Sequence, residues 1–172
     1  VQRYFLKRFG RCARVGYNVD SFGHNAMLPQ ILKKSGMDSY VLMRPHAHEL
    51  SLPGSRFWWQ SPDGSRVRTF RIPTCYNNAE CSGQEDPVLK RHESFMELTK
   101  DETGSLMEFY GVGNHGGGPT RRNIDTLHAL QKENGPEIVF SSPEAFFDTL
   151  ETEHAELPVV RGELQHHASG CY

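Results

Sequence analysis

The sequence predicts an α/β fold: a mostly parallel sheet flanked by helices. Short apolar runs near 15–19, 39–43, 66–72 and 157–164 alternate with stretches of helical spacing near 25–35, 87–98, 122–132 and 143–150. The first two runs are joined by one helix, a strand–helix–strand unit that implies parallel neighbours and a right-handed crossover. At 172 residues the chain is about one domain's worth, enough to enclose a core, with no internal repeat or low-complexity segment.

In chain order, residues 1–10 read as a helix running into a turn at Gly10. Arg11 to Val19 is the first strand and delivers Asp20 at its carboxyl end. A helix from about Asn25 to Ser35, with Met27, Leu28, Ile31 and Leu32 on one stripe, is closed by Gly36. Ser39 to Met43 is the second strand, and it presents Arg44 on the same sheet edge as Asp20. Arg56 to Gln60 and Arg66 to Ile72 flank Ser61-Pro62-Asp63-Gly64-Ser65, a hairpin signal. Trp58 and Trp59 must point to opposite faces, so one belongs to the core and the other is either packing or a platform for a sugar. Helices follow at Pro87 to Leu98 and Arg122 to Lys132, separated by a loop with five glycines among residues 111–118. Glu137 to Phe140 reads as a strand. Ser142 caps a helix with Pro143 in its first turn and Phe146, Phe147 and Leu150 on its apolar face. Leu157 to Leu164 is the last strand, ending at Gln165-His166-His167.

A net charge of −2 and a pI of about 6.5 argue against partners recruited by bulk positive charge, so neither nucleic acid nor a membrane surface is expected. No apolar run reaches bilayer-spanning length. Cys12, Cys75, Cys81 and Cys171 form no C-x-x-C pair, which favours a reduced, cytoplasmic setting. Nine histidines raise the prospect of a metal site.

Candidate chemistry gathers at strand ends, where loops vary and strands fix the side chains. Asp20 is one candidate, although an aspartate ahead of a helix is equally a helix cap. The glycine loop lacks the Lys-Ser/Thr order of a P-loop, so its glycines read as letting backbone approach a ligand, with Asn114 and His115 on display. His46, His48, His92, His128 and His154 read as solvated surface histidines.

The segments GYNVDSFGHNAMLPQILKKSGM, YVLMRP, YGVGNHGGGPT and RGELQHHASGCY, in that order, resemble glycoside hydrolase family 38, the α-mannosidases, in a bacterial flavour similar to mannosylglycerate hydrolase. The resemblance implies a zinc-dependent retaining mannosidase domain acting on an α-mannoside, an oligosaccharide or a mannosylglycerate-like compound. On the D-x-F-G-H motif, Asp20 is then both nucleophile and zinc ligand, with Phe22 beside the sugar. Arg44 lies close to the nucleophile. The family's late histidine ligand falls on His166 or His167, with His166 preferred. A retaining mechanism needs an attacking carboxylate and an acid about 5–5.5 Å apart, and zinc on sugar hydroxyls supplies Lewis-acid and template chemistry.

Two features depart from the family pattern. No His-x-Asp segment, which holds the family's other two zinc ligands, occurs before Asp20. Near the glycine loop, where the family carries an aspartate acid, this chain has Asn114-His115, which makes His115 the candidate acid and Asn114 a candidate substrate contact. Residues 1–172 are therefore expected to be part of a catalytic domain, inactive alone, whose missing elements leave a sheet edge prone to homo-oligomeric association. The competing readings are a non-catalytic carbohydrate-binding or structural module of the same fold, and another metal hydrolase using Asp20 with two histidines.

Overall fold

The computed structural model describes residues 1–77, 87–113, 117–134, 138–153 and 156–165. They fall into two compact units, Val1–Ile72 with Pro143–Tyr172, and Pro73–Ser142.

The first unit is built on a five-stranded sheet in the order β1-β3-β5-β4-β6, comprising β1 (Val15–Tyr17), β3 (Ser39–Leu42), β5 (Arg66–Arg71), β4 (Arg56–Gln60) and β6 (Val159–Arg161). β1, β3 and β5 are parallel, β4 is antiparallel to β5, and β6 is parallel to β4. The predicted class is therefore the observed one. Every residue of β3 is buried, as a central parallel strand covered on both faces requires. One face packs Tyr40, Leu42, Phe57, Trp59 and Val67 against Leu32 of helix α2 (Leu28–Lys34). The other holds Phe70, whose ring meets Phe146 of helix α5 (Pro143–Thr152) edge-on at 5.2 Å; Phe147 and Leu150 are buried beside it, as predicted. Helix α1 (Gln2–Phe9) is present too, but buries no residue.

Several elements differ from expectation. The first strand spans only Val15–Tyr17, and the helix begins at Leu28, because Gly23–His24 forms a separate strand, β2. Ile31 is exposed rather than core. The last strand is broken in two. Gly162 sits at φ 92, a left-handed conformation that interrupts the ladder, so β6 stays in the main sheet while β7 (Leu164–Gln165) pairs antiparallel with β2. Between β4 and β5 the expected hairpin forms, with Trp59 in the core and Trp58 partly exposed under the Arg66 guanidinium, 4.6 Å from its ring centre.

In the second unit, helix α3 (Pro87–Thr99) buries Val88 and Phe95, and α4 (Arg121–Asn134) packs near it. No strand forms over residues 138–140; Val139 and Phe140 are exposed, and the Phe140 ring instead meets Tyr110 edge-on and His128 at a tilt. Two described glycines of the loop, Gly113 and Gly117, are needed for close local packing. A Cβ on Gly113 would come within 2.4 Å of the Asn77 side chain, one on Gly117 within 2.9 Å of Val112, and Gly113 and Val112 donate to the carbonyls of Gly117 and Gly118.

Candidate active site

The site grows out of two neighbouring strand ends. Gly16 in β1 lets the Tyr40 ring and Leu32 pack directly on the backbone: a Cβ there would lie 2.8 Å from Tyr40. The ladder runs one step past β1, with Asn18 N–H donating to the Val41 carbonyl, and Val19 is buried. The chain then turns outward at Asp20. Parallel to it, β3 ends at buried Leu42, buried Met43 follows, and the next residue is Arg44. Both side chains thus leave the carboxyl edge of the same parallel pair, and Arg44 Nε donates to Asp20 Oδ1 at 2.9 Å.

Arg44 is held on three sides. Its guanidinium lies over the Phe22 ring, 4.8 Å from the centroid, and its own carbonyl accepts a hydrogen bond from His24 Nε2 at 2.9 Å. With the Asp20 side chain 53% exposed, the ion pair is worth about 0–1 kcal/mol and the cation–π contact about 0.5–1 kcal/mol. Contacts of that size do little for stability, so their consequence is orientation. Asp20 is no helix cap: α2 starts eight residues later, and the local turn is closed by Asn25 Oδ1 accepting from the Met27 N–H at 2.8 Å.

His24 is buried at 2% exposure in a box of Tyr40 and Trp59, with ring centroids 5.6 and 6.2 Å away. Its Nδ1 meets the Tyr40 hydroxyl at 2.9 Å. Burial lowers the imidazole's pKa, partly offset by the bond to the Arg44 carbonyl, and burial pushes the Tyr40 phenol up to about 12, against a hydrogen bond from Asn18. Further along the same edge, His46 and His48 stack at 5.5 Å, and Glu49 accepts from the His46 N–H. His46 is lowered first by desolvation and then by Arg44, so it is not a simply solvated histidine.

Of the residues singled out from the sequence, Asp20, Phe22 and Arg44 come together. Asn114, His115, His166 and His167 lie outside the described residues. Gln165, the chain neighbour of His166, pairs with Gly23 across the β2–β7 ladder, so closely that a Cβ on Gly23 would meet the Gln165 Cβ at 2.8 Å. Among the described residues no group of three or more His, Cys, Asp or Glu is arranged to hold a metal. Asp20 by itself suits one ligand position: its Oδ2 takes no hydrogen bond among the described residues, and carboxylate oxygen is an ordinary zinc donor. A cleft of about 490 Å³ lined by Lys33, Asp38, Trp58, Arg68 and Glu151 lies elsewhere, around Asp38 at the opposite end of β3 from Arg44.

Against known families, residues 1–166 match the glycosyl hydrolases family 38 N-terminal domain. The chain belongs to this family. It is 33% identical over 165 residues to Alpha-mannosidase G of Dictyostelium discoideum, covering 95% of this chain and 15% of that protein. It is 32% identical to Alpha-mannosidase 2C1 of Mus musculus, covering 95% of this chain and 16% of that one. The fold of this family 38 chain is also that of an α-mannosidase crystal structure from Enterococcus faecalis V583, at TM-score 0.69 and 21% identity over 92% of this chain and 19% of that one. The chain thus spans about a sixth of the length of these relatives.

His24 carries a place in the site that the sequence reading passed over. It was one letter of the D-x-F-G-H motif, and its burial depends on β7, which arrives from 140 residues downstream. The only local signal was a histidine next to a glycine where the apolar pattern lapses.

Proposed function

We propose that this chain supplies the nucleophile-bearing sheet edge of a retaining, zinc-dependent α-mannosidase, working within a longer protein of the size its relatives have. The observation that supports this most is the Asp20–Arg44 pair: a half-exposed carboxylate at a strand end, with one oxygen oriented at 2.9 Å and the other without a hydrogen bond among the described residues. In the proposed reaction the Asp20 carboxylate attacks the anomeric carbon of an α-mannoside as the bond to the leaving oxygen breaks. That oxygen takes a proton from the acid, for which His115 is the candidate, and departs as the free alcohol; the glycosyl ester left on Asp20 is then cleaved by water, which returns its proton to the acid. Arg44 keeps Asp20 aimed, Phe22 offers the sugar an apolar face, and Asn114 is a candidate hydroxyl partner. Zinc, held by Asp20 and by His166 or His167 among its ligands, would supply Lewis-acid polarisation of sugar hydroxyls. The β2–β7 pairing supports that ligand set, since it ties Gly23, three residues after Asp20, to Gln165, one residue before His166.

The substrate class is a terminal α-mannoside, whether of an oligosaccharide or of a small mannosylated acid. The test is zinc content together with hydrolysis of an aryl α-mannoside, on this chain and on the longer protein. Zinc uptake and turnover by the longer protein, abolished by Asp20→Asn, are expected. A folded longer protein that neither binds zinc nor cleaves mannosides would leave the non-catalytic carbohydrate-binding module in its place.

A further inference from the structure

The buried histidine of β2 adds a residue to this picture, resting on the reading of Asp20 and Arg44 as the reacting edge. We propose that His24 is a positioning residue, locked as its Nε2–H tautomer, which fixes the backbone of Arg44 and through it the guanidinium that aims Asp20.

The direction of each hydrogen bond follows from its two ends. The Arg44 carbonyl has no proton to give, so the nitrogen 2.9 Å away, Nε2, carries the hydrogen. In a neutral imidazole the other nitrogen must then accept, and the group at 2.9 Å from Nδ1 is the Tyr40 hydroxyl, which donates. The side-chain oxygen of Asn18 accepts from Ser21 Oγ at 3.0 Å. Tyr40, His24 and the Arg44 carbonyl form one directional array, in which the opposite imidazole tautomer would set an unprotonated Nε2 against the carbonyl, acceptor against acceptor.

Its placement gives the array a purpose beyond packing. It runs from Tyr40 of β3 to the main chain of Arg44, while Asn18 N–H on the Val41 carbonyl and Ser21 Oγ on Asn18 Oδ1 hold the chain on either side of Asp20, so the backbones of both partners of the ion pair are held. The pair itself is worth too little to hold a geometry in water. Anchoring the chain on either side of it removes most of the freedom that the pair would otherwise have to overcome. Trp59 closes the box, its Nε1–H bound at 2.8 Å to the Gly162 carbonyl, so the ring that walls in His24 is tied to the turn between β6 and β7.

The test uses the ring nitrogens of His24 and the Nε–H of Arg44 as reporters in ¹⁵N NMR spectra of this chain, alongside kcat and KM of the longer protein. His24 is expected to show a protonated Nε2 and an unprotonated Nδ1. The Arg44 Nε–H is expected to exchange slowly in the wild type, to be lost to fast exchange in His24→Phe, and to return in His24→Gln, whose amide can donate to the same carbonyl. Tyr40→Phe, a milder change for the case where His24→Phe does not fold, is expected to leave a mixture of tautomers. In turnover, His24→Phe should lower kcat by about 10–100-fold with little change in KM, with recovery in His24→Gln. A protonated Nδ1 in the wild type, or an Arg44 Nε–H unmoved by His24→Phe, would overturn the proposal. A wild-type protein that shows the NMR pattern but is inert toward mannosides bears against the mannosidase reading alone.

Discussion

Arg44 separates orientation from stability more cleanly than any other residue here. Its contacts with Asp20 and Phe22 are partly exposed, so replacing it by lysine keeps the charge and little else: the planar fork and the stacking surface are lost. Arg44→Lys should therefore shift the melting temperature by less than about 4 °C, yet lower kcat/KM of the longer protein by about 10–100-fold, a split that thermal unfolding and steady-state kinetics would reveal. Asp20 and Arg44 could be brought together from the sequence because each follows a strand of one parallel unit, and parallel strands end on the same edge. His24 could not, since nothing local says that its neighbour is Leu164.

Two glycines at the β2–β7 junction make different predictions. Gly23 is needed for space: any side chain meets Gln165 at 2.8 Å, so Gly23→Ala should cost about 1–3 kcal/mol and, if His166 is a metal ligand, weaken zinc binding. Gly162 has open space around it but lies at φ 92, so Gly162→Ala should cost only about 1 kcal/mol of backbone strain and spare zinc. Urea titrations with zinc titrations on both variants would distinguish them. Elements with local causes were readable in advance: the hairpin from Asp63-Gly64, α5 from Ser142-Pro143, the helix opposite β3 from its apolar spacing. The split of 157–164 into two strands was not, because the apolar pattern runs on through Gly162 and only pairing with β2 makes the break useful. Residues 138–140 carry strand-like side chains but pair with no strand among the described residues, and Phe140 makes aromatic contacts instead.

Across the molecule, protonation should act on the two units in opposite directions. His24 and His46, both in the first unit, are depressed below the ordinary imidazole value of 6.5, chiefly by burial. There the unfolded chain binds protons that the native state refuses, so stability should fall as pH drops below about 6.5. Both tryptophans lie in this unit, so tryptophan fluorescence in urea reports it selectively. His92, in the second unit, is raised by its 2.8 Å bond to Glu108. Its contribution should be complete below 6.5 and fade as pH rises through its elevated folded value, which its own imidazole resonances would follow. An unchanged fluorescence midpoint between pH 7.5 and 5.5 would contradict the burial of the two histidines in the first unit. The fold class was readable because alternating periods of two and 3.6 residues survive in the sequence, whereas the division at Ile72 and Pro143 reflects contacts between distant segments that no short window contains.

The most direct test of the central claim is to trap the nucleophile. The longer protein, treated with a fluorinated α-mannosyl donor that forms the glycosyl ester but hydrolyses slowly, should gain one sugar mass, and peptide mapping should place it on Asp20. Asp20→Asn should gain none. A sugar found on another carboxylate, or turnover that survives Asp20→Asn, would contradict the account.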